Sequence, residues 1–122
     1  MIVLDASAVL AFLGEEPGGD AVREAIRGGS AVCSAANWAE VAQKSVVTGR
    51  AWGVARMTLM ARGLQVEPVI IEDAEYAAAL WPTHQSLCLA DRLCLALAHR
   101  LGAEAWTADS AWGSGDGVHQ IR

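Results

Sequence analysis

The amino-acid sequence predicts an α/β fold with a mainly parallel sheet, on the basis of three observations. Short apolar runs alternate with longer segments of helical periodicity along the chain. Hydrophobic residues make up 53% of the 122 residues and aromatic residues only 6%, a composition that suits small aliphatic helices packed on a sheet. The breaks between segments are short and glycine-rich, with no linker that would divide the chain. We therefore expect a single domain over residues 1–122.

The first half of the chain contains two predicted strands and four predicted helices. IVLD at residues 2–5 is apolar until Asp5, and SAVC at residues 30–33 is a second run of strand character. Ser34 directly precedes a long helical pattern, the position where an N-cap residue is expected. The helices of this half are expected at residues 7–13, 20–27, 35–48 and 51–62.

The second half continues the alternation of strands and helices. QVEPV at residues 65–69 is a third strand, and Pro68 places it at an edge of the sheet because proline has no amide hydrogen to donate. EAWT at residues 104–107 is a fourth strand, and VHQI at residues 118–121 is a weaker candidate for a fifth. Helices are expected at residues 72–80 and 88–101.

The overall composition excludes several classes of protein. The net charge is −5, with 14 acidic residues against 9 basic ones, whereas a protein that only grips nucleic-acid phosphates is usually basic. The three cysteines form no CxxC pair and their number is odd, so we expect all three to be reduced core residues of a cytoplasmic protein. Neither a signal-peptide pattern nor an apolar run of membrane-spanning length is present, so no membrane association is expected.

Two aspartates follow predicted strands. Asp5 ends the first strand and Asp109 comes just after the fourth. The carboxyl ends of parallel strands meet at one edge of a sheet, where ligands bind in open α/β folds. Each residue alone is also explained as a cap of the following helix or turn.

Asp91 lies in LCLADRLCLALA, residues 87–98, where it and Arg92 are the only charged residues. A helix that is apolar on nearly all sides is buried, and an unpaired buried carboxylate costs several kcal/mol. A pair between Asp91 and Arg92 does not explain them, because adjacent helical residues point about 100° apart. The remaining structural explanation is an acid in the first helical turn, which the helix dipole stabilises.

Glu40 has two interpretations that the sequence leaves open. Lys44 is four residues further on, in the favourable order for a surface ion pair. However, Asn37 and Ser34 precede Glu40 on the same helix face and lead back to the end of the second strand.

All four carboxylates can therefore be placed near one edge of the sheet. Carboxylates gathered without a cation repel one another, and their pKa values rise. Such a cluster is typical of a site for a hard divalent cation such as Mg²⁺, which prefers oxygen ligands. The histidines, which are softer ligands, are scattered along the chain: His84, His99 and His119.

Four segments resemble PIN-domain ribonucleases, and more closely the VapC-type toxins of bacterial toxin–antitoxin pairs. Their order and spacing both agree with that family across almost the whole chain. The segments are LDASAVLAFLGEEPG at 4–18, SAANWAEV at 34–41, LCLADRLCLALAHRLG at 87–102 and WTADSAW at 106–112.

The resemblance implies a PIN-type α/β/α sandwich with a short sheet and an RNA-cleaving activity. The implied reaction is endonucleolytic cleavage of RNA by water activated by Mg²⁺ or Mn²⁺, leaving a 5′-phosphate and a 3′-hydroxyl. The implied partners are a second copy of the chain and a cognate antitoxin that places a basic side chain in the acidic site. The implied catalytic and metal-binding residues are Asp5, Glu40, Asp91 and Asp109, supported by Ser7, Thr107 and Asn37.

Two further residues are secondary candidates. Asp116 lies in the glycine-rich segment GSGDG, where a plain turn aspartate is the simpler explanation. Arg92 is a candidate for substrate contact or for pairing with a neighbour, with solvation at the surface as the simpler explanation. Ser110 follows Asp109 where relatives often carry a basic residue, and Trp52 is a candidate for a partner surface.

Two other functions compete with the nuclease. One is a catalytically weak binding module of the same fold, which holds an antitoxin or RNA without cleaving it. The other is a phosphotransfer receiver domain, which needs a phosphoacceptor aspartate after the third strand and a lysine after the fifth. Residues 69–71 are Val-Ile-Ile and the only lysine is Lys44, so the receiver domain is excluded.

Overall fold

Five short strands form one sheet in the computed structural model of the chain, which describes residues 1–122. The strands are β1 (Ile2–Leu4), β2 (Ala31–Ser34), β3 (Gln65–Glu67), β4 (Glu104–Thr107) and β5 (Val118–Gln120). The helices are α1 (Ala6–Leu13), α2 (Gly19–Arg27), α3 (Ala35–Val47), α4 (Trp52–Ala61), α5 (Ile71–Ala79) and α6 (Leu89–Leu101). Every predicted strand and helix is present, with ends that differ from the prediction by at most 2 residues.

The strand order is β3-β2-β1-β4-β5, and all neighbouring strands are parallel. The chain builds one half of the sheet outward from β1 through β2 to β3, and then returns to place β4 on the other side of β1. β3 is an edge strand, as Pro68 predicts. The carboxyl ends of β1 and β4 thus flank the point where the winding reverses, which is where open α/β sheets bind ligands.

Helices cover both faces of the sheet because successive strand residues point to opposite sides. Leu4 packs in a core cluster with residues of α1, α2, α3 and α4, whereas its neighbour Val3 packs in a second cluster with Cys94 and Leu97 of α6. The predicted α/β/α sandwich is therefore confirmed.

Helices α5 and α6 run antiparallel to each other. Arg100 near the end of α6 donates two hydrogen bonds of 2.9 and 3.0 Å to Asp73 near the start of α5. Arg92 near the start of α6 donates to the carbonyl oxygen of Ala77 near the end of α5, at 2.8 Å. The end of α5 therefore lies at the same end of the molecule as the start of α6.

One prediction about the core is wrong. Cys33 and Cys94 are buried free thiols, but Cys88 is exposed. The apolar run that contains Cys88 starts before the helix does, and Cys88 occupies the N-cap position outside the buried stripe of α6. No helix combines the length and the apolar character needed to span a membrane.

Candidate functional site

Asp5 is almost completely buried at the carboxyl end of β1, with 1% of its surface exposed. It caps α1 by accepting a hydrogen bond from the amide of Ala8 at 2.8 Å. The Ser7 hydroxyl also donates to the Asp5 carboxylate, at 2.7 Å, and accepts from the amide of Ala108 at 2.8 Å. These contacts fix both the position and the orientation of the carboxylate.

Thr107 connects Asp5 to Asp109 across the two central strands. The Thr107 hydroxyl donates to Oδ2 of Asp5 at 2.6 Å and accepts from the amide of Asp109 at 3.0 Å. Asp109 is exposed, and its side chain accepts from the amide of Ala111 at 2.9 Å, which caps the short 3₁₀ turn that follows. The pairing of β1 with β4 thus brings both aspartates to one edge of the sheet, as expected from sequence.

Glu40 is held by Asn37, one turn earlier on α3. The Asn37 side-chain amide donates to Oε2 of Glu40 at 3.0 Å and to the carbonyl oxygen of Ala90 at 3.4 Å. Asn37 is fully buried and is itself oriented by Ser34, which donates to its Oδ1 at 3.0 Å. The alternative interpretation, a surface pair between Glu40 and Lys44, is not formed in the structure, whose four ion pairs lie elsewhere.

Asp91 lies in the first turn of α6, as expected. Its carboxylate accepts from the amide of Cys88 at 3.3 Å, so it satisfies a backbone donor at the start of the helix. The Cys88 thiol lies 4.0 Å from Oε1 of Glu40. The start of α6 is therefore adjacent to Glu40 on α3.

The four acids are electrostatically coupled. Burial raises the pKa of Asp5 to about 6, against the opposing effect of its hydrogen bonds, and the charge of Asp91 raises it further. Burial also raises the pKa of Glu40, again with a contribution from Asp91. Burial raises the pKa of Asp91 as well, and the charge of Asp109 adds to this effect. The charge of each of these acids therefore either raises the pKa of another acid or is itself part of a pair in which the pKa is raised, as expected of carboxylates that lie close together.

No basic side chain neutralises this cluster. The chain has four ion pairs, and their acids are Asp20, Glu24, Asp73 and Glu16. Asp5, Glu40, Asp91 and Asp109 belong to none of them. Buried or partly buried carboxylates normally have a cationic partner, and this cluster has none in ion-pair contact; only the charge of Lys44 lowers the pKa of Glu40.

The donor set suits a hard divalent cation, since it consists of carboxylates and hydroxyls. The carboxylates are nevertheless spread out: no three His, Cys, Asp or Glu side chains converge closely enough to hold one ion among them. Water between some of the carboxylates and an ion would be needed, which is usual for Mg²⁺ but not for Zn²⁺.

Neither secondary candidate forms a hydrogen bond or an ion pair with the four acids. The Arg92 guanidinium contacts Ala77 and the ring of Trp81 rather than a carboxylate. Asp116 borders a cavity of about 550 Å³ between α5, α6 and the segment before β5, and none of the four acids lines that cavity.

Two contacts of the site had not been predicted. The first is the amide and thiol of Cys88 beside Asp91 and Glu40. The sequence signal for this contact is the position of Cys88 as the N-cap residue, three residues before the first-turn acid Asp91. The second is the link from Asn37 to Ala90, which joins α3 to α6 and depends on tertiary packing alone.

Three solved structures have a similar fold. A chain of a toxin–antitoxin complex from Klebsiella pneumoniae superposes with a TM-score of 0.82 at 19% identity, covering 100% of this chain and 98% of that one. VapC20 of Mycobacterium tuberculosis, described as a toxin that cleaves the sarcin–ricin loop, gives 0.72 at 19% identity and covers 93% and 95%. The PAE2754 protein of Pyrobaculum aerophilum gives 0.65 at 17% identity and covers 98% and 90%.

Those identities are too low to carry more than the fold. No curated protein sequence matches the chain significantly. The family model of the PIN domain, in contrast, matches residues 2–116. Since that match extends over nearly all of the sequence, the chain belongs to the PIN domain family.

Proposed function

We propose that the chain is a divalent-ion-dependent endoribonuclease and the toxin of a toxin–antitoxin pair. Membership of the PIN domain family supports a nuclease. Two proteins with a similar fold support the finer proposal, since one belongs to a toxin–antitoxin complex and the other is described as a toxin that cleaves the sarcin–ricin loop. The proposed products carry a 5′-phosphate and a 3′-hydroxyl.

The observation that carries the proposal is the set of four coupled carboxylates without a basic partner, located at the point where the sheet reverses its winding. Asp5 is the most constrained of them, because it accepts three hydrogen bonds in a buried position. These bonds favour its charged form, whereas burial raises its pKa to about 6. A site built only to cap helices would not need the other three acids at the same edge.

The proposed ion is Mg²⁺ or Mn²⁺, held by Asp5, Asp91 and Asp109 directly or through water. Glu40 completes the site or helps to hold a second ion. When bound, the ion lowers the pKa of water and neutralises charge that develops on the phosphate. The spread of the carboxylates agrees with Mg²⁺, which usually takes only one or two of them directly and keeps several waters.

The chain's own residues prepare this site in a specific way. Ser7 and Thr107 donate hydroxyl hydrogens to Asp5, so its carboxylate is held in one orientation at the edge of the sheet. Asn37 fixes one oxygen of Glu40, and the other oxygen has only the long contact of 4.0 Å with the Cys88 thiol. Because these supports are rigid, the carboxylates need little reorganisation when substrate phosphate arrives.

The proposed partners are the RNA substrate, a second copy of the chain and a cognate antitoxin, in the cytoplasm. The acidic cluster favours an antitoxin that inserts a basic side chain, because such a side chain would supply the compensating charge. The same charge argument explains why an acidic protein can act on RNA: substrate phosphates would meet a cation rather than bare carboxylates.

The test is whether cleavage of RNA requires a divalent ion. The purified full chain is incubated with total RNA in Mg²⁺, in Mn²⁺ or in excess chelator, and the new ends are mapped. We expect cleavage at defined sites with either ion and none in chelator, with 5′-phosphate ends that a phosphate-dependent exonuclease degrades. Cleavage that persists in chelator, or that leaves a 5′-hydroxyl, would refute the mechanism.

A binding module without catalysis is the second candidate. The observation that favours it is that no three acidic side chains converge closely enough to hold one ion among them. It differs in a single result. A binding module would bind an antitoxin or RNA firmly but cut no RNA in either ion.

A further inference from the structure

Trp81 is an exposed aromatic ring in a short 3₁₀ turn, Trp81–Thr83, directly after α5. It is the only one of the five tryptophans classed as exposed, with 49% of its surface accessible. The guanidinium of Arg92 lies over its ring, 5.2 Å from the ring centroid. One face of the ring is therefore covered by a cation, while much of the ring surface remains open.

The fold places Trp81 at the end of the molecule that carries the acids. The antiparallel arrangement of α5 and α6 brings the end of α5 to the start of α6. Arg92 follows Asp91 directly in the sequence, so the side chain under Trp81 belongs to the same turn of α6 as a site carboxylate. Trp81 therefore lies at the same end of the molecule as Asp91.

Arg92 is a buried cation without a carboxylate partner. It is 8% exposed, and it belongs to none of the four ion pairs. Its contacts are one hydrogen bond of 2.8 Å to the carbonyl oxygen of Ala77 and the ring of Trp81, and its Nε has no acceptor. Its charge therefore has no carboxylate partner at an end of the molecule that otherwise presents carboxylates.

The surroundings of Trp81 favour a nucleic-acid base over a protein side chain. The residues that follow, Pro82 to Ser86, are mostly polar, whereas the core of a protein interface is a continuous apolar patch. Most of the large apolar side chains that the chain exposes on its helices lie instead on α3 and α4: Val46, Val47, Val54, Met57 and Met60. Leu89 at the start of α6 is the other large apolar side chain exposed at this end of the molecule. An exposed aromatic ring beside a cation is typical of proteins that stack the bases of single-stranded RNA.

We propose that Trp81 is a stacking platform for one base of single-stranded RNA next to the cleaved phosphate, with Arg92 supporting the ring from below. This inference rests on RNA being the substrate, as proposed above. It adds a contact outside the four acids that binds the substrate without taking part in the chemistry.

The experiment measures binding of a fluorescently labelled, single-stranded oligoribonucleotide of mixed sequence to the full chain carrying Asp5→Asn, so that the RNA is not cut. In this background, Trp81→Ala and Trp81→Leu are expected to weaken binding about tenfold, the loss of one base–aromatic stack. Trp81→Phe keeps an aromatic face and is expected to retain most of the affinity. Met57→Ala removes a large apolar side chain on α4 that is more exposed than Trp81, and serves as the control with unchanged affinity.

A second readout does not depend on the folding of the Ala and Leu variants. RNA is expected to quench the tryptophan emission of the parent, and most of this quenching should disappear in Trp81→Phe. Unchanged affinity in Trp81→Ala, equal affinity of the Leu and Phe variants, or quenching that survives in Trp81→Phe would each overturn the proposal. A Trp81→Ala variant that changes self-association but not RNA binding would also overturn it and assign the ring to a protein interface.

The binding assay and the cleavage assay distinguish failure of the stacking proposal from failure of the nuclease proposal. If the chain with Asp5 intact cuts no RNA under any ion, the nuclease proposal fails. If it cuts RNA but Trp81 variants bind and cleave like the parent, only the stacking platform fails. In the cleaving protein, Trp81→Leu is expected to raise KM with little change in kcat, because the ring contributes binding and not chemistry.

Discussion

Replacing Asp5 by Asn is expected to lower the rate of RNA cleavage by about 10²–10³-fold or more. Losses of this size are seen when one preorganised electrostatic group is removed from an active site. Asn has the shape of Asp but lacks the charge needed to hold a divalent ion. Asp91→Asn is expected to have an effect of the same order, since Asp91 is the charge that most directly couples to both Asp5 and Glu40.

Asn at position 5 should leave the fold intact, so the loss is one of chemistry. Its side-chain oxygen can still accept from the amide of Ala8 and the hydroxyl of Ser7, and its amide can donate to the Thr107 hydroxyl. Glu75→Gln, an exposed acid of α5 without an ion pair, is the control and is expected to cut at the wild-type rate. Full activity in Asp5→Asn or Asp91→Asn would remove that residue from the site.

The same Asp5→Asn substitution is expected to stabilise the ion-free protein at neutral pH, by about 1–3 kcal/mol. Burial raises the pKa of Asp5 from 3.8 to about 6 in the folded state, so the folded chain binds this proton more tightly than the unfolded chain does. The contribution of Asp5 to stability is therefore most favourable below about pH 4, declines as the pH rises toward 6 and stays at its lowest value above that. Asn resembles the protonated acid at every pH and avoids this decline.

Chemical denaturation of the ion-free protein at several pH values measures the effect. The free energy of unfolding of the wild type should fall relative to that of Asp5→Asn between pH 4 and pH 6, the window set by the two pKa values. Glu75→Gln is expected to run parallel to the wild type across this range. A constant difference between wild type and Asp5→Asn from pH 4 to pH 7 would show that Asp5 is not destabilised by its burial.

Local signals were sufficient to predict most of the fold. Ser34 marks the start of α3 because an N-cap hydroxyl has a specific local task, and it accepts from the amide of Asn37 at 3.1 Å. Asp5 is a candidate site residue because a charged residue at the end of an apolar strand is unusual unless it has a structural or functional role. The strand order could not be read from these patterns, since the position of β4 beside β1 depends on long-range pairing.

The features that the sequence did not predict depend on contacts between different helices and strands. Cys88 was expected to be buried because its neighbours are apolar, but the helix begins one residue later and leaves it exposed. Trp52 was the candidate for a partner surface, yet it is partly buried and packs against Trp38, with ring centroids 5.1 Å apart. The exposure of Trp81 depends on the antiparallel packing of α5 and α6, which no local pattern encodes.

The central claim is that the four acids together form a cation site. Its most direct test is thermal unfolding of the wild type and of Asp5→Asn during titration with Mn²⁺. The wild type should start with the lower melting temperature and rise with ion concentration until binding saturates, because a ligand of the folded state stabilises it by mass action. Asp5→Asn should start higher and gain little, and neither protein should respond in the same way to monovalent salt of equal ionic strength. Equal gains in both proteins, or no saturable gain in the wild type, would contradict the claim.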